Sequence, residues 1–196
     1  MKKKIKIATI FIAIVLIIYF SRNVSEVFFL NDKINGDFTL KLTKRKYQKY
    51  YNKVTIKNGD EQKTHYFKDK MTLNIWKTDW GHINNENKTL DIAFGVYNIA
   101  PHHRKMFKRV FIYKVEGVEL VPKFRCSRLA TPMVDFMLYD YDEDGYDEIV
   151  SIEKHKGKYT INAYKEYNLT ILRVFTKEIK ESESDIKNVK HLLKDR

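Results

Sequence analysis

Apolar residues recur at every second position through most of the chain from Asp37 onward. Phe38, Leu40 and Leu42 alternate with polar residues, and the apolar positions further along are mostly β-branched or aromatic. A period of two places such side chains on one face of an extended strand. The pattern therefore predicts an all-β body.

The clearest predicted hairpin lies at residues 54–67. Val54 and Ile56 lead into Asn58-Gly59-Asp60, and the apolar run resumes after this turn. An Asn-Gly pair between two such runs favours a tight β-turn. Further strands are predicted at residues 73–76, 90–97, 110–115, 136–139, 148–152, 158–164 and 169–175.

Two segments depart from the alternation. Residues 45–51 lack it and are compatible with a short helix. Near the C-terminus, Ser184 and Asp185 form an acceptable N-cap before apolar residues spaced along one helical face. Those residues are Ile186, Val189, Leu192 and Leu193. We expect a short C-terminal helix within residues 181–196.

A basic and then strongly apolar segment opens the chain. Four lysines within the first six residues precede residues 7–20, which are apolar or aromatic apart from Thr9. This is the pattern of an export signal, and neither a small-residue cleavage motif nor a lipidatable cysteine follows it. We expect an uncleaved anchor helix at residues 1–23, with a cytoplasmic N-terminus and the remaining chain outside the plasma membrane. A buried core helix is the alternative, and the lysines argue against it.

Composition fits one folded domain beyond this anchor. The whole chain is 43% hydrophobic and 14% aromatic, and residues 24–180 can bury the core of a single β domain. Cys126 is the only cysteine, so no intramolecular disulfide can form. It is either a small buried hydrophobe or, between Arg125 and Arg128, a reactive thiol. The net charge of +12 favours an anionic bilayer or anionic wall polymers as neighbours.

A weak internal repeat links two parts of the chain. Tyr113-Lys114 ends one apolar segment, and Tyr164-Lys165 ends another. A turn and a second apolar stretch follow each pair, at residues 120–124 and 169–175. A strand with acidic and apolar residues precedes each pair, at residues 89–93 and 147–150. A period of 40 to 50 residues with several short strands per unit is typical of β-propeller blades.

The stretch with the clearest chemistry is an acidic loop between two predicted strands. Carboxylates occupy its first, third, fifth and ninth positions, Gly145 permits a sharp turn, and the seventh position can offer a backbone carbonyl. The predicted ligands are Asp140, Asp142, Asp144, Glu148 and the carbonyl of Tyr146. Such hard oxygen ligands suit Ca²⁺, whereas an EF-hand would need a glutamate in place of Ser151 and flanking helices. A solvated turn without metal is the alternative, against which the mutual repulsion of the carboxylates argues.

Residues 140–150, with residues 135–138 before them and Tyr164-Lys165 after them, resemble an FG-GAP or VCBS-type repeat. This is the calcium-loop blade of integrin-like β-propellers. The resemblance implies the same metal ligands and a propeller-like array of antiparallel blades. It covers one blade well, and four blades are the usual minimum for closure, so an incomplete array is expected. The preceding copy, at residues 79–87, lacks the regular acid spacing and is predicted to hold no metal.

Two basic clusters are candidates for binding an anionic partner. Basic residues are interleaved with tyrosines between Lys41 and Lys57, and His102, His103, Lys108 and Arg109 belong to a second cluster expected between two strands. The predicted contact residues are Lys44, Arg45, Lys46, Tyr47, Lys49, Tyr50, Arg104 and Lys105. Basic residues among aromatic ones can also bind single-stranded nucleic acid, and more often they form a solvated face.

These features favour a membrane-anchored extracytoplasmic binding or scaffold module with one structural Ca²⁺ site. Its partner would be another protein or an anionic envelope polymer. A membrane-tethered nucleic-acid-binding protein is the alternative, and a surface hydrolase is the third interpretation. The sequence contains no Ser-His-Asp arrangement, zinc signature or phosphate-binding glycine loop that would indicate an enzyme.

Overall fold

The computed structural model describes residues 12, 14–19, 21–32, 36–67, 72–83, 89–100, 103–125, 128–167 and 170–194. Within these residues twelve strands account for most of the chain. They are β1 (Asn23–Asp32), β2 (Gly36–Arg45), β3 (Lys53–Asn58), β4 (Glu61–Tyr66), β5 (Ile75–Gly81), β6 (Asp91–Ala100), β7 (His103–Glu116), β8 (Glu119–Arg125), β9 (Met133–Tyr139), β10 (Glu148–His155), β11 (Lys158–Tyr167) and β12 (Thr170–Ile179).

The strands form three four-stranded antiparallel sheets. The first sheet contains β1 to β4, the second β5 to β8 and the third β9 to β12, with neighbours in the chain paired in each sheet. None of the three sheets is closed. The prediction of an all-β body is confirmed.

The sheets stack face to face, because strands of the second sheet are buried on both sides. In β6, Ile92 and Phe94 pack in the core shared with the first sheet. Ala93 between them faces the core shared with the third sheet. This second contact is close at Gly95, where a Cβ atom would lie 2.7 Å from the Phe136 ring and 2.8 Å from the Trp76 ring. A residue without a side chain is therefore needed there.

The two outer faces of the stack are covered differently. On the third sheet, the C-terminal segment buries Ile186, Val189, Leu192 and Leu193 against β10 and β11. The predicted apolar face is confirmed, but the helix is shorter than expected, since only Lys190–Lys194 is α-helical. The outer face of the first sheet combines polar side chains with the exposed Val27 and Phe29, and its hydroxyl groups pair across strands, Ser25 with Thr43 and Thr55 with Thr64.

Three details differ from the sequence prediction. Strand β1 lies before the first predicted strand. Residues 45–51 do not form a helix: residues 46–47 are a turn, and Tyr51 makes an isolated bridge to Ile75. Arg109 was expected in a connection, but it lies within β7 and is buried, with its Nε donating to the Asn98 carbonyl.

At the N-terminus, the described residues from 12 to 21 are helical. Among the described residues, no helix combines the length and apolar character needed to cross a bilayer. The lysines of the predicted anchor, together with Cys126, His102 and Leu169, lie outside the described residues.

Candidate metal centre

The acidic loop, residues 140–147, connects β9 to β10. Its backbone takes positive φ angles at Glu143 (61°) and Gly145 (89°), and the latter value favours glycine. The Asp140 carboxylate folds the loop back on itself, accepting hydrogen bonds from the amides of Asp144 (3.1 Å) and Gly145 (2.9 Å). Glu148, the first residue of β10, accepts from the Tyr141 amide at 2.8 Å.

Three of the predicted ligands converge. Asp140, Asp142 and Glu148 each offer a carboxylate oxygen, and the three oxygens lie within 4.8 Å of one another. Asp142 Oδ1 and Glu148 Oε1 are buried and accept no hydrogen bond from the described residues. Buried oxygens without a donor are costly, and a hard cation is the partner that fits them. The donor set therefore suits a divalent cation such as Ca²⁺.

Burial raises the pKa of Glu148 to about 7, and the nearby Asp142 and Asp144 carboxylates act in the same direction. The Tyr141 amide and the Lys165 ammonium oppose this rise. Burial therefore works against the charged form of this carboxyl group, and Lys165 offsets only part of the effect.

Lys165 of β11 supplies a cation from the chain itself. Its Nζ lies 2.8 Å from Asp142 Oδ2 and 3.6 Å from Glu148 Oε1, and it also donates to Asp144. Hydrogen bonds to Asp142 and Asp144 raise the pKa of Lys165 above its ordinary value. The sequence analysis missed this contact. Only the register of β10 and β11 could have predicted it. Ile149 pairs with Tyr164, and this pairing brings Lys165 next to Glu148.

The other acids near the loop also have partners. Asp144 is not one of the three converging carboxylates: its Oδ1 accepts from the Tyr146 amide at 3.0 Å, and its Oδ2 contacts Lys165. Asp147 instead joins the loop to the second sheet: its Oδ2 accepts from the His82 amide, and its own amide donates to the His82 carbonyl. Asp79 of the degenerate copy accepts from the amides of Leu138 and Trp80. Residues 84–87 of that copy lie outside the described residues.

A second acid and lysine cluster lies between the second and third sheets, and the sequence analysis did not single it out. Lys123 Nζ is 2.9 Å from Asp91 Oδ2 and 3.2 Å from Glu166 Oε2. Asp91 is fully buried. Its burial raises its pKa, and the charge of Lys123 opposes that effect. A lysine therefore lies against buried carboxylates here as it does in the acidic loop.

The predicted anionic-partner residues lie at one end of the stack. Lys44 and Arg45 end β2, and Lys46, Tyr47, Lys49 and Tyr50 form the connection to β3. Arg104 and Lys105 lie at the start of β7. The Tyr50 ring stacks on that of Tyr97 in β6, with ring centroids 5.7 Å apart. By contrast, Lys41, Lys53 and Lys57 lie on strands of the first sheet, and Tyr51 is buried.

Comparisons with protein-family models, with curated proteins and with solved structures find no match for this chain.

Proposed function

We propose that this protein is a membrane-anchored extracytoplasmic binding or scaffold module whose acidic loop binds Ca²⁺ as a structural ion. The observation that carries the proposal is the convergence of Asp140, Asp142 and Glu148, with two buried oxygens that have no hydrogen-bond donor within the described part of the chain. Calcium would be held by these carboxylates and would neutralise the charge that Lys165 otherwise balances. It would tie the start of β10 to the loop and so stabilise the third sheet.

The arrangement of the sheets supports an FG-GAP-like repeat. The segments matched in the sequence fall on equivalent strands: β6 and β10 are second strands, β7 and β11 third strands, β8 and β12 fourth strands. The loop lies between the first and second strands of the third sheet. We infer a propeller-like array of three blades that stays open.

The character of the N-terminal helix supports the membrane anchor. Its described large apolar side chains are all exposed, namely Ile12, Ile14, Val15, Leu16, Ile17, Ile18 and Tyr19. A helix that is apolar on every side needs an apolar environment, and the β domain does not supply one. A bilayer entered by residues 1–23 would supply it, with the lysines at the cytoplasmic side.

The surface proposed to bind an anionic protein or envelope polymer consists of the connection between β2 and β3 and the start of β7. Their charge complements such a partner, and long-range attraction would speed its encounter.

The test of the calcium proposal is a thermal melt of the full chain in detergent micelles, with CaCl₂, MgCl₂ or chelator. Extracellular modules bind Ca²⁺ with a Kd of roughly 10⁻⁴ to 10⁻³ M, so about 10 mM Ca²⁺ should raise the Tm by about 3–10 °C. Mg²⁺ should do much less, because it requires a tighter octahedral site.

Two variants make this melt specific. Asp142→Asn should abolish the rise, and Glu178→Gln, at an exposed residue of β12, should keep it. A calcium response retained in Asp142→Asn, or absent from the unmodified chain, would refute the metal site.

A further inference from the structure

One end of the domain adjoins the N-terminal helix directly. The Lys46 amide donates to the Arg22 carbonyl at 2.9 Å, immediately after the helix. The Lys46 ammonium lies 3.4 Å from the centre of the Tyr19 ring within the helix. The connection between β2 and β3 therefore contacts the C-terminal end of the N-terminal helix.

The tip of the β6–β7 hairpin lies at the same end. Tyr50 in the connection between β2 and β3 stacks on Tyr97 of β6. Ala100 lies three residues after Tyr97 and pairs with His103 of β7. We call residues 44–50, together with the described residues among 97–108, the basic end.

The basic end combines positive charge with exposed apolar side chains. Lys46, Lys49, Arg104 and Lys105 are exposed. No acidic residue occurs in residues 44–51 or 97–109. Tyr47 (57% exposed), Ile99 (52%) and Met106 (41%) lie among these cations. Basic residues with aromatic and apolar neighbours are the composition of protein surfaces that contact lipid headgroups.

The acidic loop lies at the opposite end. In the second sheet, Val96 of β6 pairs with Ile75, near the basic end, whereas Asp91 pairs with Gly81, beside the His82 that contacts Asp147. The ten residues of β6 span about 30 Å between these ends. The basic residues of the first two sheets described above therefore lie next to the helix, and the acidic loop of the third sheet lies at the far end.

We propose that the basic end docks on the anionic phospholipid headgroups of the bilayer that holds the helix. The inference rests on the proposed anchor, and it assigns this surface to the headgroups of that bilayer in place of an anionic protein or envelope polymer. The domain then stands with its strands along the membrane normal, and the acidic loop faces the medium where calcium is available.

The experiment uses the full chain in lipid nanodiscs made of phosphatidylcholine alone or with added phosphatidylglycerol. Lysines are briefly acetylated, and the rate at each residue is read by mass spectrometry. Lys46, Lys49 and Lys105 should react about fivefold more slowly in the anionic discs, an effect that about 1 M salt should remove. Lys57 and Lys63 are exposed controls towards the far end of the first sheet and should react equally in both discs.

A variant shows whether both segments dock together. Lys46→Glu combined with Lys49→Glu should release Lys105 from protection, and Lys57→Glu combined with Lys63→Glu should not. Equal acetylation rates in the two kinds of disc would overturn the docking. A further sample contains soluble polyphosphate, and protection that appears only in that sample would also overturn it. If the protein elutes with the discs but shows equal acetylation rates, the docking is refuted and the anchor is supported. If the protein does not elute with the discs, both the anchor and the docking are refuted.

Discussion

Lys165 places its ammonium among the same oxygens that converge in the acidic loop. It approaches Asp142, Asp144 and Glu148, and its side chain is 30% exposed. A metal ion entering the loop would have to compete with this charge, because the Asp142 and Glu148 carboxylates would hold both. Under the calcium proposal, Lys165 would therefore stabilise the loop at low calcium and oppose calcium binding.

Replacing Lys165 separates these two effects. Without calcium, Lys165→Met should lower the free energy of unfolding by about 1–2 kcal/mol, since it leaves the carboxylates without a cation and solvent screens part of that cost. With calcium, the rise in Tm should exceed that of the unmodified chain. Chemical denaturation and thermal melts measure the two quantities.

Lys158→Met is the matched control, because Lys158 is 70% exposed and pairs only at the surface with Glu178. It should change stability by less than about 0.5 kcal/mol and leave the calcium response unaltered. An unchanged or smaller calcium response in Lys165→Met would contradict the competition.

At the scale of the elements, the C-terminal segment acts as a cover for the third sheet. Leu193 is almost fully buried in the core that contains Val150 and Ile161. Leu193→Ala should lower the free energy of unfolding by about 2–4 kcal/mol, through lost burial and an unfilled cavity. His191 of the same short helix is exposed, so His191→Ala should have an effect below about 0.5 kcal/mol in the same urea titration. Equal effects would show that the helix does not cover the sheet.

Elements specified by local chemistry could be predicted from the sequence. Alternation located most strands, and Asn58-Gly59 located the β3–β4 hairpin, in which Gly59 has a φ of 56°. Strand β1 was missed because it follows directly on the anchor segment and its run Phe28-Phe29-Leu30 interrupts the alternation. Residues 45–51 were misassigned because the absence of a period of two fits a turn as well as a helix.

Contacts between distant residues could not be predicted in the same way. The acid spacing in the loop indicated a cation site, but Lys165 reaches it only through the pairing of β10 with β11. The burial of Arg109 depends similarly on accepting carbonyls at Asn98, His103 and Lys105, which the hairpin brings together. Such placements follow from register and sheet packing, which a local pattern does not contain.

At the scale of the whole molecule, the three sheets should unfold together. The second sheet contributes to the cores on both of its faces, so loss of one core exposes the next. Two tryptophans report on these contacts separately. Trp80 meets Phe28 of the first sheet, and Trp76 meets Phe136 of the third.

We expect Trp76→Phe and Trp80→Phe variants, each with one fluorescent reporter left, to show fluorescence transitions that coincide with their own far-UV circular dichroism in guanidinium chloride. A fluorescence midpoint that differs from the circular dichroism midpoint in either variant would show that one sheet unfolds independently.

The buried apolar residues beneath the C-terminal segment determine what happens if a protease removes it. Cleavage near residue 180 would expose the apolar side chains of the third sheet that this segment covers. Two cleaved molecules could then bury these surfaces against each other. By covering these side chains the C-terminal segment should prevent such association, and its removal should cause the protein to dimerise or precipitate.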